Sequence, residues 1–549
     1  WSGTPREAMT AYGTLTGLPI FPPEWVFEPW AGGGGGRWRN GPLQDIALEQ
    51  MAAMKKFHEL DIPHSGFYAE GAGATFYGEY KKEELYKVVS FGERHGFKVF
   101  SWQFPNMTQE LAQELLPECP KEELPITRNK NDEEEKLPVY IDFSHPRAKE
   151  LLAAQWKDRM DAGIRGSMVD FGDVVPDEAV FYDGRRGDEM HNAYAYQYAK
   201  NYRELFEQKY GDDHVLYTRG AAPGSQHFAC QFGGDQLTSF QGLKYAIAGG
   251  LSAAASGLPF WGVDAGGYDG FPDQETYLRW TEYAAFCPLM RFHGTEPREP
   301  WEYDAFTVKV YRYYTWLREN LRPYIVSVAA EAHKLGIPMM RPLAMMYPED
   351  QEATKVWDEY LFGEDLLVAP VSDETEEREI YFPEGRWISL WNLNDEISGP
   401  VQRSVEVPID KIPVYIREGS FLPLRLNESL KLGESMSESE TEMILAVVPQ
   451  NDSIVKETLY ERSGAKTCCG MEKNGETIQL QISGRTAELY VMLAGIHWKS
   501  TEAIVNGRTL TKVTAREGLY FTEGYLELEE GILVKINPSA ESVIKIQKK

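Results

Sequence analysis

The sequence has no apolar run of the roughly 18 residues that a membrane span requires, and no recognisable secretory leader. Cysteine is sparse: five among 549 residues, odd in number, without a CxxC pair, and with Cys468 and Cys469 adjacent and poorly placed to bridge each other. That pattern argues against a disulfide framework and reads as free thiols in a reducing, cytoplasmic compartment. Positive charge is also short, 56 Lys and Arg against 84 Asp and Glu, for a formal net charge of -28. Nucleic acid and anionic membrane both demand clustered cations, so neither is expected as a partner. No GxxxxGK[ST] run is present, and no two histidines have ligand-like spacing, so no phosphate cradle, metal or cofactor is implied. The chain opens at Trp1 rather than Met, and a segment upstream of it is expected to be missing.

What is present is apolar and aromatic. Hydrophobic residues make up 42% of the chain, ample for real cores, and the length suits about three or four domains. Aromatics reach 13%, with 14 Trp and 30 Tyr, a composition that suits surfaces stacking on flat apolar faces such as those of sugar rings.

Periodicity gives the organisation. Short apolar runs at 25–30, 65–70, 98–103, 166–170, 215–219, 228–232, 258–263 and 289–292 read as strands. Helical patterns at 43–60, 81–95, 146–162, 192–210, 240–256, 274–285 and 307–335 separate or follow them, Pro146 being placed in a first turn. Eight strands alternating with helices predict an α/β fold, a (β/α)8 TIM barrel spanning residues 1–336, with a surface insertion at about 105–140 where Pro, Asn and charge break the pattern. Beyond it, alternating segments cut by Gly and Pro predict C-terminal antiparallel β-sandwich domains, a proximal one over 337–425 and a distal one over 426–549. There is no internal repeat beyond the barrel's own alternation.

In such a barrel the strand ends that lead into helices share one face. The stretch GSMVDFGDVVPDEAVFYDG, residues 166–184, ends an apolar run with Asp170, Asp173 and Asp177 among loop-forming residues. The other strand ends carry Glu28 and Trp30, Glu70, Gln103, Arg219, Asp235, Asp264 and His293. Five glycines at 32–36, before Arg37 and Trp38, read either as a flexible linker or as a place where backbone approaches a ligand. Carboxylates, an arginine, a histidine and aromatics on one rim suit glycoside chemistry, in which one carboxylate attacks or stabilises an oxocarbenium-like centre and another protonates the departing oxygen. Metal binding is the competing use of clustered acids, and an arginine among them opposes it.

The residues also carry a family likeness. The first stretch followed by MHNAYAYQYAK, then LYTRGAAPGSQHFACQFGGDQ, LSAAASGLPFWGVDAGGYDG and LMRFHGTEPREPW resembles the catalytic barrel of glycoside hydrolase family 31, and the DFG-acid form looks most like its α-xylosidase and α-glucosidase-like branch. EGRWISLWN and IPVYIREGSFLPL are similar to its C-terminal sandwich. The resemblance implies a retaining exo-α-glycosidase acting on terminal α-linked xylosides or glucosides of an oligosaccharide or glycoside, with Asp170 as nucleophile and Asp235 as general acid/base. Such an enzyme passes through a covalent glycosyl-enzyme intermediate, and Asp235 should carry a higher pKa than Asp170. Arg219, Asp264 and His293 would hold the reacting sugar. Trp261 and Phe232 are candidate ring-stacking platforms or barrel packing, and Trp30 and Glu70 are grouped with the substrate-binding residues.

Two departures bear on the sugar. Members acting on α-glucosides or α-xylosides usually have an aspartate at the end of the second barrel strand, where this chain has Ser65 or Gly66, its nearest acid being Glu70. A lysine two residues before the nucleophile is replaced by Met168. Sulfoquinovosidase, another unusual terminal sugar, transglycosylation, an α-glucan lyase and a non-catalytic carbohydrate-binding protein therefore stay open. The family usually carries an N-terminal β-sandwich ahead of the barrel; this sequence starts just before the barrel, and the expectation is either that it is a fragment or that the module has been lost. Oligomeric state is not set by the sequence, and a homo-oligomer stays open.

Overall fold

The computed structural model describes the chain apart from residues 1–2, 34–42, 70, 74–80, 129–138, 438–441, 452, 486, 497, 499, 521 and 540. It divides into two compact units. One comprises Met9–Lys309 with His333–Ile337; the other comprises Trp1–Ala8, Val310–Ala332 and Pro338–Lys549.

The first unit is a closed barrel of eight parallel strands: β1 (Trp30–Gly33), β2 (Gly66–Ala69), β3 (Lys98–Gln103), β4 (Gly166–Val169), β5 (Val215–Thr218), β6 (Cys230–Phe232), β7 (Trp261–Asp264) and β8 (Leu289–Arg291). It closes where Trp30 of β1 pairs with Arg291 of β8. Helices α1 (Leu43–Glu59), α2 (Lys82–Arg94), α3 (Ala148–Ala162), α4 (Gly187–Tyr210), α5 (Phe240–Ala255) and α6 (Gln274–Ala285) lie between strands in sequence, as right-handed parallel crossovers require. Their starts are written locally. Ser239 accepts from Gly242 N at 3.1 Å at the head of α5, and Asp273 accepts from Thr276 N at 2.9 Å at the head of α6.

Three boundaries differ from the sequence reading for physical reasons. The apolar segment 25–30 is not a strand: Glu24–Phe27 forms a 3-10 turn after Pro22 and Pro23, and the strand starts at Trp30. Glu28 therefore precedes β1 and lies at the N-terminal ends of the strands, away from the opposite face where the βα loops meet. Helix α3 starts at Ala148, because Asp142, His145 and Arg147 close a turn in which Pro146 sits outside the helix. Within the insertion, Asn106–Met107 pairs with Val139–Tyr140, and a helix Gln109–Leu115 is capped by Thr108.

Among the described residues, the second unit contains three six-stranded sheets. One runs from Met340–Pro342 to Val414–Arg417 and encloses a cluster including Leu361, Phe382 and Trp387. The other two face a shared core of Val447, Leu480, Val491, Val534 and Ile546, a sandwich with mostly antiparallel pairing. Among the described residues no helix is long and apolar enough to cross a membrane, and Cys119, Cys230, Cys287, Cys468 and Cys469 are free thiols.

Candidate active site

Side chains alternate across each barrel strand, so residues two apart share a face. That rule sends Tyr217 and Arg219, Asp264, and Arg291 and His293 inward together, and register does the rest: Asp264 of β7 pairs directly with Arg291 of β8. Both side chains are fully buried, with Nη1 of Arg291 2.7 Å from Oδ1 of Asp264. The contact is an ion pair without hydrogen-bond alignment, and among the described residues neither Asp264 oxygen receives a hydrogen bond. Burial lifts the Asp264 carboxyl to about 6, against the opposing pull of Arg291, and the charges of Asp235 and Asp170 push it the same way.

Asp170 follows β4 directly and is 4% exposed. Trp102 Nε1 donates to its Oδ2 at 3.0 Å, Phe171 N donates to its Oδ1 at 2.8 Å, and Arg219 Nε lies 3.3 Å from Oδ1. The Phe171 contact depends on a left-handed backbone, φ +56°, uncommon for a bulky residue and of the kind that concentrates at functional sites. Its ring in turn lies 4.3 Å from the Arg219 guanidinium carbon. Burial raises the Asp170 pKa, and Arg219, Trp102 and the Phe171 amide oppose the rise, while the charge of Asp235 adds to it. Asp235 itself stands in the exposed loop after β6. Asp170 is thus buried, whereas Asp235 lies exposed beyond the strand end.

His293 is buried two residues beyond Arg291, its ring 4.4 Å from Tyr68 and 5.5 Å from Tyr268. Burial, aided by Arg291 and Arg298, holds its pKa well below the usual imidazole range, so it is neutral at the mouth.

The structure thus brings Asp170, Asp235, Arg219, Asp264 and His293 to one end of the barrel. Glu70 lies outside the described residues, as do Arg37 and Trp38. Trp261 faces the helices: a Cβ on Gly250 of α5 would meet its Nε1 at 2.8 Å, and one on Gly233 would meet its ring at the same distance. Phe232 and Trp30 fill the barrel's centre, Phe232 stacking on Tyr217 at 4.8 Å and Trp30 meeting Phe100 and Tyr217 edge-on. Sequence reasoning missed Trp102 and Arg291. The signal for Arg291 was a charge in the apolar strand LMRF in phase with His293; Trp102 looked like any aromatic in a strand. Arg291 also reaches Met168, donating from Nη2 to its Sδ at 3.4 Å, so a cation does stand beside the position where the family's lysine is replaced.

A closed parallel barrel whose mouth gathers three carboxylates, two arginines and a neutral histidine defines a protein of the glycoside-hydrolase class. The chain belongs to glycoside hydrolase family 31: residues 20–328 match the model of the glycosyl hydrolases family 31 TIM-barrel domain, and residues 336–422 that of the family's C-terminal domain. It is 28% identical to an isomaltosyltransferase of Sporosarcina globispora over 98% of this chain and 54% of that protein. It is likewise 28% identical to an α-xylosidase of Emericella nidulans, over 76% of this chain and 56% of that one. In fold it is similar to the cycloalternan-forming enzyme of Listeria monocytogenes, with a TM-score of 0.88 at 22% identity over all of this chain and 56% of that one. The chain spans about half the length of the curated relatives it matches.

Proposed function

We propose that this chain is a retaining exo-α-glycosidase acting on a terminal α-linked glucoside or xyloside, with Asp170 as nucleophile and Asp235 as acid/base. The observation that carries the reading is the set of three groups converging on one buried carboxylate: Arg219, the Trp102 indole and the Phe171 amide all favour the ionised form of Asp170 against burial. A carboxylate so held attacks the anomeric carbon while Asp235 gives its proton to the departing glycosidic oxygen. Water then enters, Asp235 takes its proton, and the ester to Asp170 breaks to return both carboxyl groups to their starting states. A sugar seated in the mouth displaces water from Asp235, supplying the desolvation that an acid needs to stay protonated. Asp264, whose two oxygens have no hydrogen-bond partner among the described residues, is placed to accept from sugar hydroxyls, and neutral His293 lies two residues beyond its ion-pair partner Arg291.

Transfer to a second sugar is a further reading, favoured by the match to an isomaltosyltransferase across 98% of the chain where the α-xylosidase matches 76%. The division of the C-terminal region near residue 425 belongs to the same proposal, supported by its two separate hydrophobic clusters.

Aryl α-glucosides and α-xylosides test the reading directly. Asp170→Ala should abolish turnover. Asp235→Ala should keep turnover of the activated substrate and be accelerated by azide, which replaces water without needing a base. Acceleration of the Asp170 variant in its place would reverse the two roles.

A further inference from the structure

Residues 265–272 leave β7 after Asp264 and fold back against the loop that carries Asp235. Tyr268 N donates to Gln236 O at 2.8 Å, Leu237 bridges to Asp269 in parallel register, and Thr238 Oγ1 donates to Asp269 O at 2.8 Å. Arg298, 3% exposed, fixes this turn from beneath. Its Nε and Nη2 donate to Gly267 O at 3.0 and 2.7 Å, and Nη2 also reaches Tyr268 O at 3.2 Å and Gly270 O at 2.7 Å. Its Nη1 donates to Glu296 O and Pro297 O at 3.0 and 3.1 Å. Three of the five backbone carbonyls that this guanidinium binds belong to the turn, which is thereby held as a rigid shelf.

The shelf ends in an aromatic ladder. Phe271 stacks on Tyr303 with centroids 4.9 Å apart and planes 22° apart, and Tyr303 stacks on Tyr277 at 4.8 Å and 25°. Both tyrosine hydroxyls are tied to backbone, Tyr303 to Pro272 O at 2.9 Å and Tyr277 to Arg298 O at 2.6 Å. The outermost ring, Phe271, remains 48% exposed, and Leu237, two residues beyond Asp235, is 55% exposed. Core packing accounts for the tyrosines but leaves the presentation of Phe271 and Leu237 to solvent unexplained.

We propose that Phe271 and Leu237 form the platform for the leaving-group sugar, and for the acceptor sugar when the glycosyl unit is transferred; the inference rests on the assignment of Asp235 as acid/base. Asp235 protonates the oxygen that joins the two sugars, so the departing sugar lies on its side of the mouth. There the C–H face of a pyranose meets an exposed ring and an aliphatic side chain whose positions are fixed before binding, which lowers the ordering cost of recognition. The structure thereby assigns this chain a preference for glycosyl donors whose leaving group is itself a carbohydrate.

The test compares substrates that share a terminal sugar and differ only in what departs. α-Glucosyl fluoride is paired with isomaltotriose, and α-xylosyl fluoride with isoprimeverose; fluoride makes no use of the platform. In Phe271→Ala the ratio of kcat/KM for the saccharide to that for the fluoride should fall about tenfold, the scale of a lost stacking face. Phe271→Trp should restore the ratio. With the fluoride as donor and added glucose, the share of transfer product should fall in the alanine variant. An unchanged ratio in Phe271→Ala, or a tryptophan variant no better than alanine, overturns the platform while leaving the glycosidase reading intact. Wild-type protein inactive on both pairs refutes the functional reading itself and the platform with it.

Discussion

Replacing Trp102 with phenylalanine isolates one hydrogen bond in the candidate site and gives a result with a definite sign. The indole Nε1 donates to Oδ2 of Asp170 at 3.0 Å, and the ring also meets Phe104 at 4.7 Å and Phe171 at 6.3 Å. Phenylalanine keeps an aromatic body there and removes the donor. A hydrogen bond to a charged group is worth about 1.5 to 3 kcal/mol, and at about 1.36 kcal/mol per unit its loss should raise the Asp170 pKa by about one to two units. Burial already raises that pKa, and Trp102 is one of the three groups that oppose it, so removal acts in the same direction as burial. Only the ionised carboxylate can attack. As pH falls through the Asp170 pKa the rate is lost, and in the variant that loss should begin at higher pH. The assay is kcat/KM against pH on a glycosyl fluoride or aryl glycoside, comparing the acid limbs of the two proteins. An acid limb that stays in place while the rate drops uniformly would refute the argument that Trp102 holds Asp170 in its charged form.

Two further substitutions probe the buried framework. Arg291→Met should destabilise the barrel by about 3 to 5 kcal/mol by denaturant titration, since it leaves the fully buried Asp264 without its cation. The deficit should shrink as pH falls toward about 6, because without the opposing pull of Arg291 the buried Asp264 takes up its proton at a higher pH than in the wild type, and Arg291→Met with Asp264→Asn should recover part of it. A deficit independent of pH would mean that lost packing, not uncompensated charge, is responsible. Gly250→Ala should cost about 1 to 3 kcal/mol, because the new methyl would sit 2.8 Å from Trp261 Nε1 and 3.1 Å from the Tyr283 hydroxyl. An alanine variant of unchanged thermal midpoint would mean that Trp261 is free to move and is not wedged against α5.

The alternation of apolar runs and helical patterns made the barrel legible, and β3 and α6 lie where periodicity places them, at Lys98–Gln103 and Gln274–Ala285. Both are bounded by strong local signals, a charged residue and an Asp cap. The first strand was misplaced because Trp25–Trp30 is as apolar as a strand, while the two prolines before it favour a turn that periodicity does not register. Among site residues, those at strand ends were visible because a polar group ending an apolar run stands out. Trp102 and Arg291 were not singled out, since their importance comes from partners on other strands.

The sequence by itself determined the family, the barrel, and the set of acids and cations at its strand ends, because each depends on local pattern and on the order of elements along the chain. Which of these groups touch was decided by tertiary structure alone. Barrel closure and strand register put Arg291 against Asp264 and Trp102 against Asp170, and burial then raised both carboxyls. The same packing turned Trp261 toward the helices and left Phe271 facing water. Alternation tells which way a side chain points, whereas its neighbour depends on residues far away in the chain, and both the electrostatics and the candidate specificity of the mouth arise from those neighbours.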